Sequence, residues 1–271
     1  MEDHEHKLAQ ALAMLDQGYL LVVTGAGISQ ASGIPTFRGT DPDAVWRSSD
    51  VALATCEYFQ RDPVGQWQWY LKRFESVRGA RPNAAHLALV RLESWLEKRG
   101  GSFLLVTQNI DTLHETAGTR NLIKVHGTSD RVRCSRIGCR RGAPTGSLTL
   151  SEVDFSTFER QPIRENIPTC PECGALLRAH VLFFDEFYLE HADYRFMEAE
   201  SAADQADAIL FIGTSFSVGV TDLYLQAGAR RGVPMFSIDP ASTPAHWTGM
   251  TPMPAPAEDL LPAVCDQLDQ L

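Results

Sequence analysis

The chain has 271 residues, of which 44% are hydrophobic and 21% are charged. A chain of this length and composition buries a substantial core, which argues against an intrinsically disordered protein. Its formal net charge of −10 argues against a broad basic surface for nucleic acid or anionic lipid. We therefore expect no nucleic-acid partner and no membrane partner.

The N-terminus and the apolar runs bear on localisation. Residues 1–6 are acidic and lack both the apolar segment of a secretory signal and the Arg-rich pattern of a transit peptide. The apolar runs, such as residues 102–106 and 208–212, are long enough for strands and far too short to cross a bilayer. These features predict a cytoplasmic protein.

Apolar strands and helices alternate along the chain, which predicts a parallel sheet with helices on both faces. In such sheets ligands bind at the carboxyl ends of the strands, so the polar residues that follow the strands are candidate site residues. Composition predicts loops over residues 142–149 and 252–256. The predicted elements are a helix over 6–17, a strand over 20–24, a helical stretch over 67–74, a helix over 84–98, and strands over 103–107, 122–125, 208–212 and 233–238.

The first strand runs into a glycine-rich turn at residues 25–29, with the sequence Gly-Ala-Gly-Ile-Ser. Small residues let backbone N–H groups approach a pyrophosphate, and a helix N-terminus behind them favours its negative charge. Any tight strand-to-helix turn also needs glycine, so that alternative stays open for the Gly-x-Gly alone. Residues 32–38 continue the segment and add an aromatic ring at Phe37 and a fixed charge at Arg38.

Polar residues also follow the later strands. Gln108-Asn109-Ile110-Asp111 follows the second strand, and His126 follows the third. Taken singly, each has an ordinary structural explanation, because Asn109 and Asp111 are good helix caps. A lone histidine near a strand end is most often a satisfied core residue. In combination, at the ends of neighbouring strands, they predict an active site.

Four of the six cysteines form two close pairs, Cys134 with Cys139 and Cys170 with Cys173. In a chain with no secretory signal this spacing favours a tetrahedral structural zinc site over disulfides or free thiols. Four thiolates leave no open coordination position on the metal. The zinc would therefore hold a small module together and would not take part in chemistry.

Together these motifs, with residues 178–186 and Gly213-Thr214-Ser215, resemble those of the sirtuins, the NAD-dependent protein deacylases, in content, order and separation. The resemblance extends from the first strand to nearly the C-terminus. It implies a Rossmann-like α/β fold with a parallel sheet, helices on both faces and a small inserted zinc-binding module. The predicted segments are an NAD-binding domain in three parts (1–45, 81–130 and 181–271), a helical cofactor and acyl-pocket segment (46–80) and the zinc module (131–180).

The resemblance implies that acylated protein substrates react with NAD to give nicotinamide and O-acyl-ADP-ribose. His126 would be the base that takes a proton from a ribose hydroxyl. Asn109 and Asp111 would line the nicotinamide pocket, with Phe37 and Arg38 over it. The cofactor-binding residues implied in this way are Gly25, Ala26, Gly27, Ser29, Thr36, Phe37, Arg38, Gln108, Asn109, Ile110, Asp111, Gly213, Thr214, Ser215, Asp239 and Ala257.

Several positions resemble the desuccinylase and demalonylase branch of that family. Thr36 stands where most members have Asp, and Tyr70 and Arg73 lie three residues apart on a predicted helix. Residues so spaced share a helix face, so a phenol and a guanidinium can converge on one carboxylate. The alternative is that Tyr70 is a core residue and Arg73 a surface charge. The substrate-contacting residues implied by the resemblance are Ala54, Tyr70, Arg73, Val181, Phe184 and Glu186.

Three further positions depart from the commonest sirtuin pattern. Asp239 replaces an Asn that both donates and accepts, although a carboxylate still accepts from ribose hydroxyls. Asp185 replaces a Gly, and its side chain would crowd or repel the substrate backbone or favour basic peptides. Ala179 replaces a Pro. A plain deacetylase and an ADP-ribosyltransferase remain alternatives, as does an NAD-sensing binding protein, against which the intact His126 argues.

Overall fold

The computed structural model describes residues 2–36, 51–216, 219–241 and 249–271. The strands are β1 (Tyr19–Thr24), β2 (Ser102–Thr107), β3 (Leu122–Lys124), β4 (Gly127–Cys134), β5 (Leu148–Thr149), β6 (Leu177–Val181), β7 (Ala208–Ile212), β8 (Met235–Ile238) and β9 (Met250–Met253). The α-helices are α1 (Glu2–Ala13), α2 (Cys56–Arg61), α3 (Pro63–Arg78), α4 (Ala84–Lys98), α5 (Leu113–Ala117), α6 (Ser156–Arg160), α7 (Phe196–Gln205), α8 (Gly219–Arg231) and α9 (Ala257–Leu268). Short 3₁₀ helices cover Ala26–Ser32, Leu150–Glu152, Arg164–Asn166, Tyr188–Glu190 and Ala192–Tyr194.

Six strands form one parallel sheet in the order β3-β2-β1-β7-β8-β9. Alternate side chains of β1 enter different cores, because successive residues of a strand point to opposite faces. Leu20 and Val22 pack with α1, α4 and α9 on one face, whereas Leu21 and Val23 pack with α7 and α8 on the other. The predicted Rossmann-like sheet with helices on both faces is confirmed. Among the described helices, none is long and apolar enough to cross a membrane.

A second, antiparallel sheet of order β5-β4-β6 is inserted between β3 and β7. It packs against α3, and the two share one hydrophobic core that includes Trp67, Phe74, Val132 and Leu177. The indole N–H of Trp67 donates to the carbonyl oxygen of Leu177 at 2.8 Å, which ties α3 to β6. The helical segment and the cysteine-bearing sheet therefore form one packed layer beside the large sheet.

Two loop predictions are wrong in part. Pro252 lies in β9, which is an edge strand that pairs only with β8, and an edge position tolerates the missing N–H of proline. Residues 148–149 form the short strand β5 within the stretch predicted as a loop.

The first helix also ends at Ala13 and not at residue 17, since Asp16 has a positive φ of 47° that interrupts the helix.

Candidate active site

A cavity of about 840 Å³ opens where β1, β2, β3, β7 and β8 end. Every predicted cofactor and substrate residue within the described ranges lines it, as does His126. Phe37 and Arg38 are predicted site residues that lie outside the described residues. The cavity-lining predicted residues are Gly25, Ala26, Gly27, Ser29, Thr36, Ala54, Tyr70, Arg73, Gln108, Asn109, Ile110, Asp111, His126, Val181, Phe184, Glu186, Gly213, Thr214, Ser215, Asp239 and Ala257.

The turns after β1 and β7 lie against each other at the floor of the cavity. The N–H of Gly27 donates to the carbonyl oxygen of Gly213 at 2.9 Å. A Cβ on Gly27 would lie 2.6 Å from the Cα of Gly213, so no other residue fits there without a shift. Gly213 itself has a φ of 58°, which favours glycine. A 3₁₀ helix follows the first turn.

Asn109 and Asp111 are buried and held by the turn after β1. The amide of Asn109 donates to the carbonyl oxygen of Gly25 at 3.0 Å. The hydroxyl of Ser29 donates to Oδ2 of Asp111 at 2.9 Å. The other carboxylate oxygen of Asp111 accepts from the N–H of Leu113 at 3.0 Å, at the start of α5. Asp111 thus accepts from the first N–H of α5 and lines the cavity at the same time.

His126 is anchored through both of its ring nitrogens. Nδ1 lies 2.9 Å from the carbonyl oxygen of Gln108, and Nε2 lies 2.9 Å from the hydroxyl of Tyr188. A carbonyl oxygen only accepts, so Nδ1 carries the proton and Nε2 is the basic nitrogen. Burial lowers the pKa of His126 below its ordinary value. The ring is therefore a neutral base at neutral pH, as the chemistry implied by the sequence requires.

Sequence reasoning missed Tyr188. It lines the cavity and lies in the 3₁₀ helix Tyr188–Glu190, two residues beyond the last predicted substrate residue. Its contact with His126 joins positions 62 apart in the chain. No motif in the sequence marked this tyrosine, because only the folded backbone brings the two side chains together.

Tyr70 and Arg73 lie one turn apart on α3, and both line the cavity. Tyr70 also belongs to the core, where its ring stacks on Phe183 with centroids 5.9 Å apart. Burial raises the pKa of Tyr70 above its ordinary value, so the phenol stays a hydrogen-bond donor at neutral pH. The guanidinium carbon of Arg73 lies 4.7 Å from the centre of the Trp69 ring. Tyr70 is therefore both a core residue and a cavity-lining residue, and its contact with substrate stays a prediction.

Glu186 is held by groups of the chain itself. Its carboxylate accepts from a guanidinium nitrogen of Arg178 at 2.8 Å and from the N–H of Phe183 at 2.8 Å. Burial alone would raise the pKa of Glu186, but hydrogen bonds from His191 and Arg178 outweigh it and lower the pKa well below its usual range. The charged carboxylate organises the segment that precedes Tyr188, and its contact with substrate stays a prediction.

Asp185 has a structural partner that the sequence did not indicate. Its two carboxylate oxygens accept from the N–H groups of Cys56 and Glu57 at 2.7 and 3.1 Å. These N–H groups open α2, where the hydroxyl of Thr55 also accepts from the N–H of Tyr58 at 3.0 Å. Asp185 thus caps α2 and joins it to the segment before Tyr188.

Replacement of Asp185 by alanine is expected to lower the free energy of unfolding by about 0.5–2 kcal/mol, because α2 loses a side-chain cap. Urea unfolding at fixed pH measures this change. The Asp185→Asn variant retains an acceptor oxygen and serves as the control, with most of the stability kept. Equal stability of the wild type and the alanine variant would show that the cap contributes nothing.

Polar side chains also line the cavity beside the turns after β7 and β8. The amide of Gln108 donates to the hydroxyl of Thr214 at 3.3 Å. Oδ1 of Asp239 accepts from the N–H of Ala241 at 2.8 Å. Burial raises the pKa of Asp239 above its ordinary value. Its carboxylate lines the cavity as an acceptor suited to ribose hydroxyls, in keeping with the prediction.

The four paired cysteines converge on one point. Their sulfur atoms all lie within 4.8 Å of one another. The Sγ atoms of Cys134 and Cys173 are 3.4 Å apart, and those of Cys139 and Cys170 are 3.7 Å apart. A tetrahedron with Zn–S bonds of about 2.3 Å has edges of about 3.8 Å. The donor set and its spacing therefore fit one structural zinc ion.

Comparison with known proteins agrees with this site. The profile of the Sir2 family matches residues 25–220. The chain belongs to the Sir2 family. The sirtuin resemblance of the sequence is thereby confirmed.

Relatives cover most of this Sir2 chain. It is 40% identical over 240 residues to an NAD-dependent protein deacylase of Thermus thermophilus, which covers 88% of the chain and 86% of that protein. It is 35% identical over 236 residues to the NAD-dependent protein deacylase sirtuin-5, mitochondrial, of Danio rerio, which covers 84% of the chain and 75% of that protein. A solved Sir2 homologue–NAD complex is 34% identical, with a TM-score of 0.77 over 98% of this chain and 94% of the other. Other relatives are named deacetylases.

Proposed function

We propose that this NAD-dependent Sir2 enzyme removes short acyl groups with a terminal carboxylate, succinyl or malonyl, from protein lysines. Family membership and the names of the relatives support NAD-dependent deacylation. The observation that carries the acyl preference is the placement of Tyr70 and Arg73 on one face of α3, inside the cavity.

The residues around the cavity suit the parts of NAD. The glycine-rich turns after β1 and β7 line the cavity, where their backbone N–H groups would bind a pyrophosphate. Asn109 and Asp111 would hold the nicotinamide carboxamide, and Asp239 would accept from a ribose hydroxyl. NAD, when bound, supplies the ribose carbon that receives the acyl oxygen as nicotinamide leaves. The protein's part is to orient the groups and to take up a proton at Nε2 of His126.

Arg73 suits a carboxylate for two reasons. A guanidinium offers a rigid fork of donors that matches the two oxygens of a carboxylate. The Trp69 ring, 4.7 Å from the guanidinium carbon, favours a fixed orientation of that fork. Tyr70 adds a protonated phenol one turn away, and the small Ala54 lines the same cavity. An acetyl group presents no carboxylate to these donors.

The Arg73→Met variant is expected to lose desuccinylation and demalonylation by about 10- to 150-fold in kcat/KM. This range corresponds to the roughly 1.5–3 kcal/mol of charge-assisted hydrogen bonds that the variant removes. Deacetylation should stay level or rise, because the acetyl group makes no such bond. The assay uses one peptide with acetyl, succinyl, malonyl or long-chain acyl lysine in turn. Mass spectrometry follows both the peptide and acyl-ADP-ribose, so ADP-ribosylation of the peptide would also be seen.

Lys72→Met is the matched control, since Lys72 is an exposed cation on the same helix outside the cavity lining. It should leave the order of acyl preferences unchanged. A wild type that prefers acetyl or long uncharged groups, together with an equal loss of all activities in Arg73→Met, would rule out the carboxylate role. Arg73 would then serve only the fold.

A further inference from the structure

Both ring nitrogens of His126 are already engaged by the protein itself. The carbonyl oxygen of Gln108, 2.9 Å from Nδ1, fixes the tautomer with the proton on Nδ1. The lone pair of Nε2 then faces the hydroxyl of Tyr188 at 2.9 Å, and that hydroxyl donates to it. A substrate hydroxyl in the cavity thus meets a basic nitrogen that Tyr188 already contacts.

Packing holds the Tyr188 ring in this place. It stacks on Phe196 with centroids 4.3 Å apart and planes 16° apart. Its hydroxyl meets the His126 ring, whose plane lies 24° from that of Tyr188, with centroids 5.8 Å apart. Burial raises the pKa of Tyr188 to about 12. The phenol is therefore protonated at neutral pH, and swinging it away from His126 would break the stack on Phe196.

We propose that Tyr188 is a proton relay between the ribose hydroxyl of the cosubstrate and His126. The inference rests on the proposed deacylase function and adds a residue to its catalytic machinery. Tyr188 and His126 both line the cavity in which the cosubstrate would bind, and the hydroxyl proton of Tyr188 points to Nε2.

The transfer balances without a further reactant. The O–H bond of the ribose hydroxyl breaks, its electron pair stays on the ribose oxygen, and its proton goes to a lone pair of the Tyr188 oxygen. The original phenolic proton moves to Nε2 of His126, which becomes an imidazolium with N–H groups at both nitrogens. The imidazolium keeps its bond to the Gln108 carbonyl. Tyr188 ends as it began, a neutral phenol, and no phenolate needs to be stabilised.

The Tyr188→Phe variant tests the relay, because it keeps the stacked ring and removes only the hydroxyl. NAD-dependent deacylation should fall by about 10²-fold or more, the range typical of a positioned proton transfer. Exchange of labelled nicotinamide into NAD reports the bond cleavage that precedes this proton transfer, and it should stay within about threefold of the wild type. The His126→Ala/Tyr188→Phe double variant should lose no more than His126→Ala alone, since the two residues act in one chain.

Tyr224→Phe is the matched control. Tyr224 is a buried residue of α8 itself, and its hydroxyl has no hydrogen-bond partner among the described residues. Its removal should leave both deacylation and exchange unchanged. Thermal unfolding of each variant shows whether it folds.

A second measurement needs no NAD. Nitrogen-15 NMR of the wild type without cofactor should show the His126 proton on Nδ1 and an unprotonated Nε2 that accepts a hydrogen bond. In Tyr188→Phe the Nε2 resonance should move toward that of a nitrogen without such a bond. A wild-type spectrum with the proton on Nε2 would overturn the relay whatever the variants do.

The outcomes are distinct. If Tyr188→Phe deacylated its substrate at the wild-type rate, His126 would contact the ribose hydroxyl directly, and the relay would be refuted. An equal loss of exchange and deacylation would mean that Tyr188 only supports the fold of the cavity, which also refutes it. A wild type that shows neither exchange nor deacylation would refute the proposed function itself.

Discussion

The His126→Ala variant is expected to lose about 10²–10⁴-fold in turnover of NAD-dependent deacylation while it still binds NAD. The Gln108 carbonyl oxygen lies 2.9 Å from Nδ1 and holds the ring proton on that nitrogen. Nε2 is therefore the basic nitrogen. Alanine removes that base without touching the turns after β1 and β7. Steady-state turnover with an acylated peptide, together with calorimetric NAD binding, measures the two quantities separately.

His6→Ala serves as the control for the loss of an imidazole, because His6 lies on the exposed face of α1 and bonds only to Gln10 among the contacts described. It should leave turnover unchanged. Near-normal turnover in His126→Ala would remove His126 from the role of base.

The pH profile follows from the same site. Burial lowers the pKa of His126 below the ordinary value of about 6.5. Deacylation needs the neutral ring, and a lowered pKa keeps the ring neutral to lower pH. The acid limb of kcat/KM for the wild type should therefore lie below pH 6.5.

The Cys170→Ser variant is expected to lose its zinc and to unfold the module that carries β4, β5 and β6. The binding free energy of a structural zinc site is folding free energy, with apparent values of about 10–16 kcal/mol in zinc-finger peptides at neutral pH. The loss of one thiolate from a four-sulfur set removes a large part of it. Elemental analysis, near-UV circular dichroism and limited proteolysis measure metal content and order in the module.

Cys56→Ser is the control, since Cys56 lies outside the four-sulfur cluster. It should keep one zinc per chain. Purified wild-type protein without stoichiometric zinc, or a disulfide map that joins any of the four cysteines, would refute the zinc assignment.

Much of this fold could be predicted because hydrophobic runs mark parallel strands. Residues 208–212 and the helix over 84–98 have the predicted limits. The sequence did not predict β9, because a proline such as Pro252 normally argues against a strand. An edge strand tolerates the proline, and β9 lies at the edge of the sheet. Helix α9 also has a proline, Pro262, within its length, and the sequence pattern did not predict it.

The candidate site could be predicted where residue type and chain order carry the signal. The residues after each strand reach one cavity because parallel strands end at one edge of the sheet. Neither residue type nor chain order indicates which distant segments of the chain come into contact. The bond from Tyr188 to His126 and the bonds from Asp185 to the start of α2 join positions 62 and more apart. The functional roles of the site residues stay predictions that the experiments above decide.

Because α3 and the antiparallel sheet share one core, we expect the loss of metal to lower the specific activity. Tyr70 lies in the same cluster of buried side chains as Cys134 and Cys170. Local unfolding follows such clusters as units, because their side chains lose their packing together. A partly demetallated preparation would then be a mixture of intact and inactive molecules, not a uniform population of weakened ones. Activity per bound zinc would stay constant while activity per milligram declined.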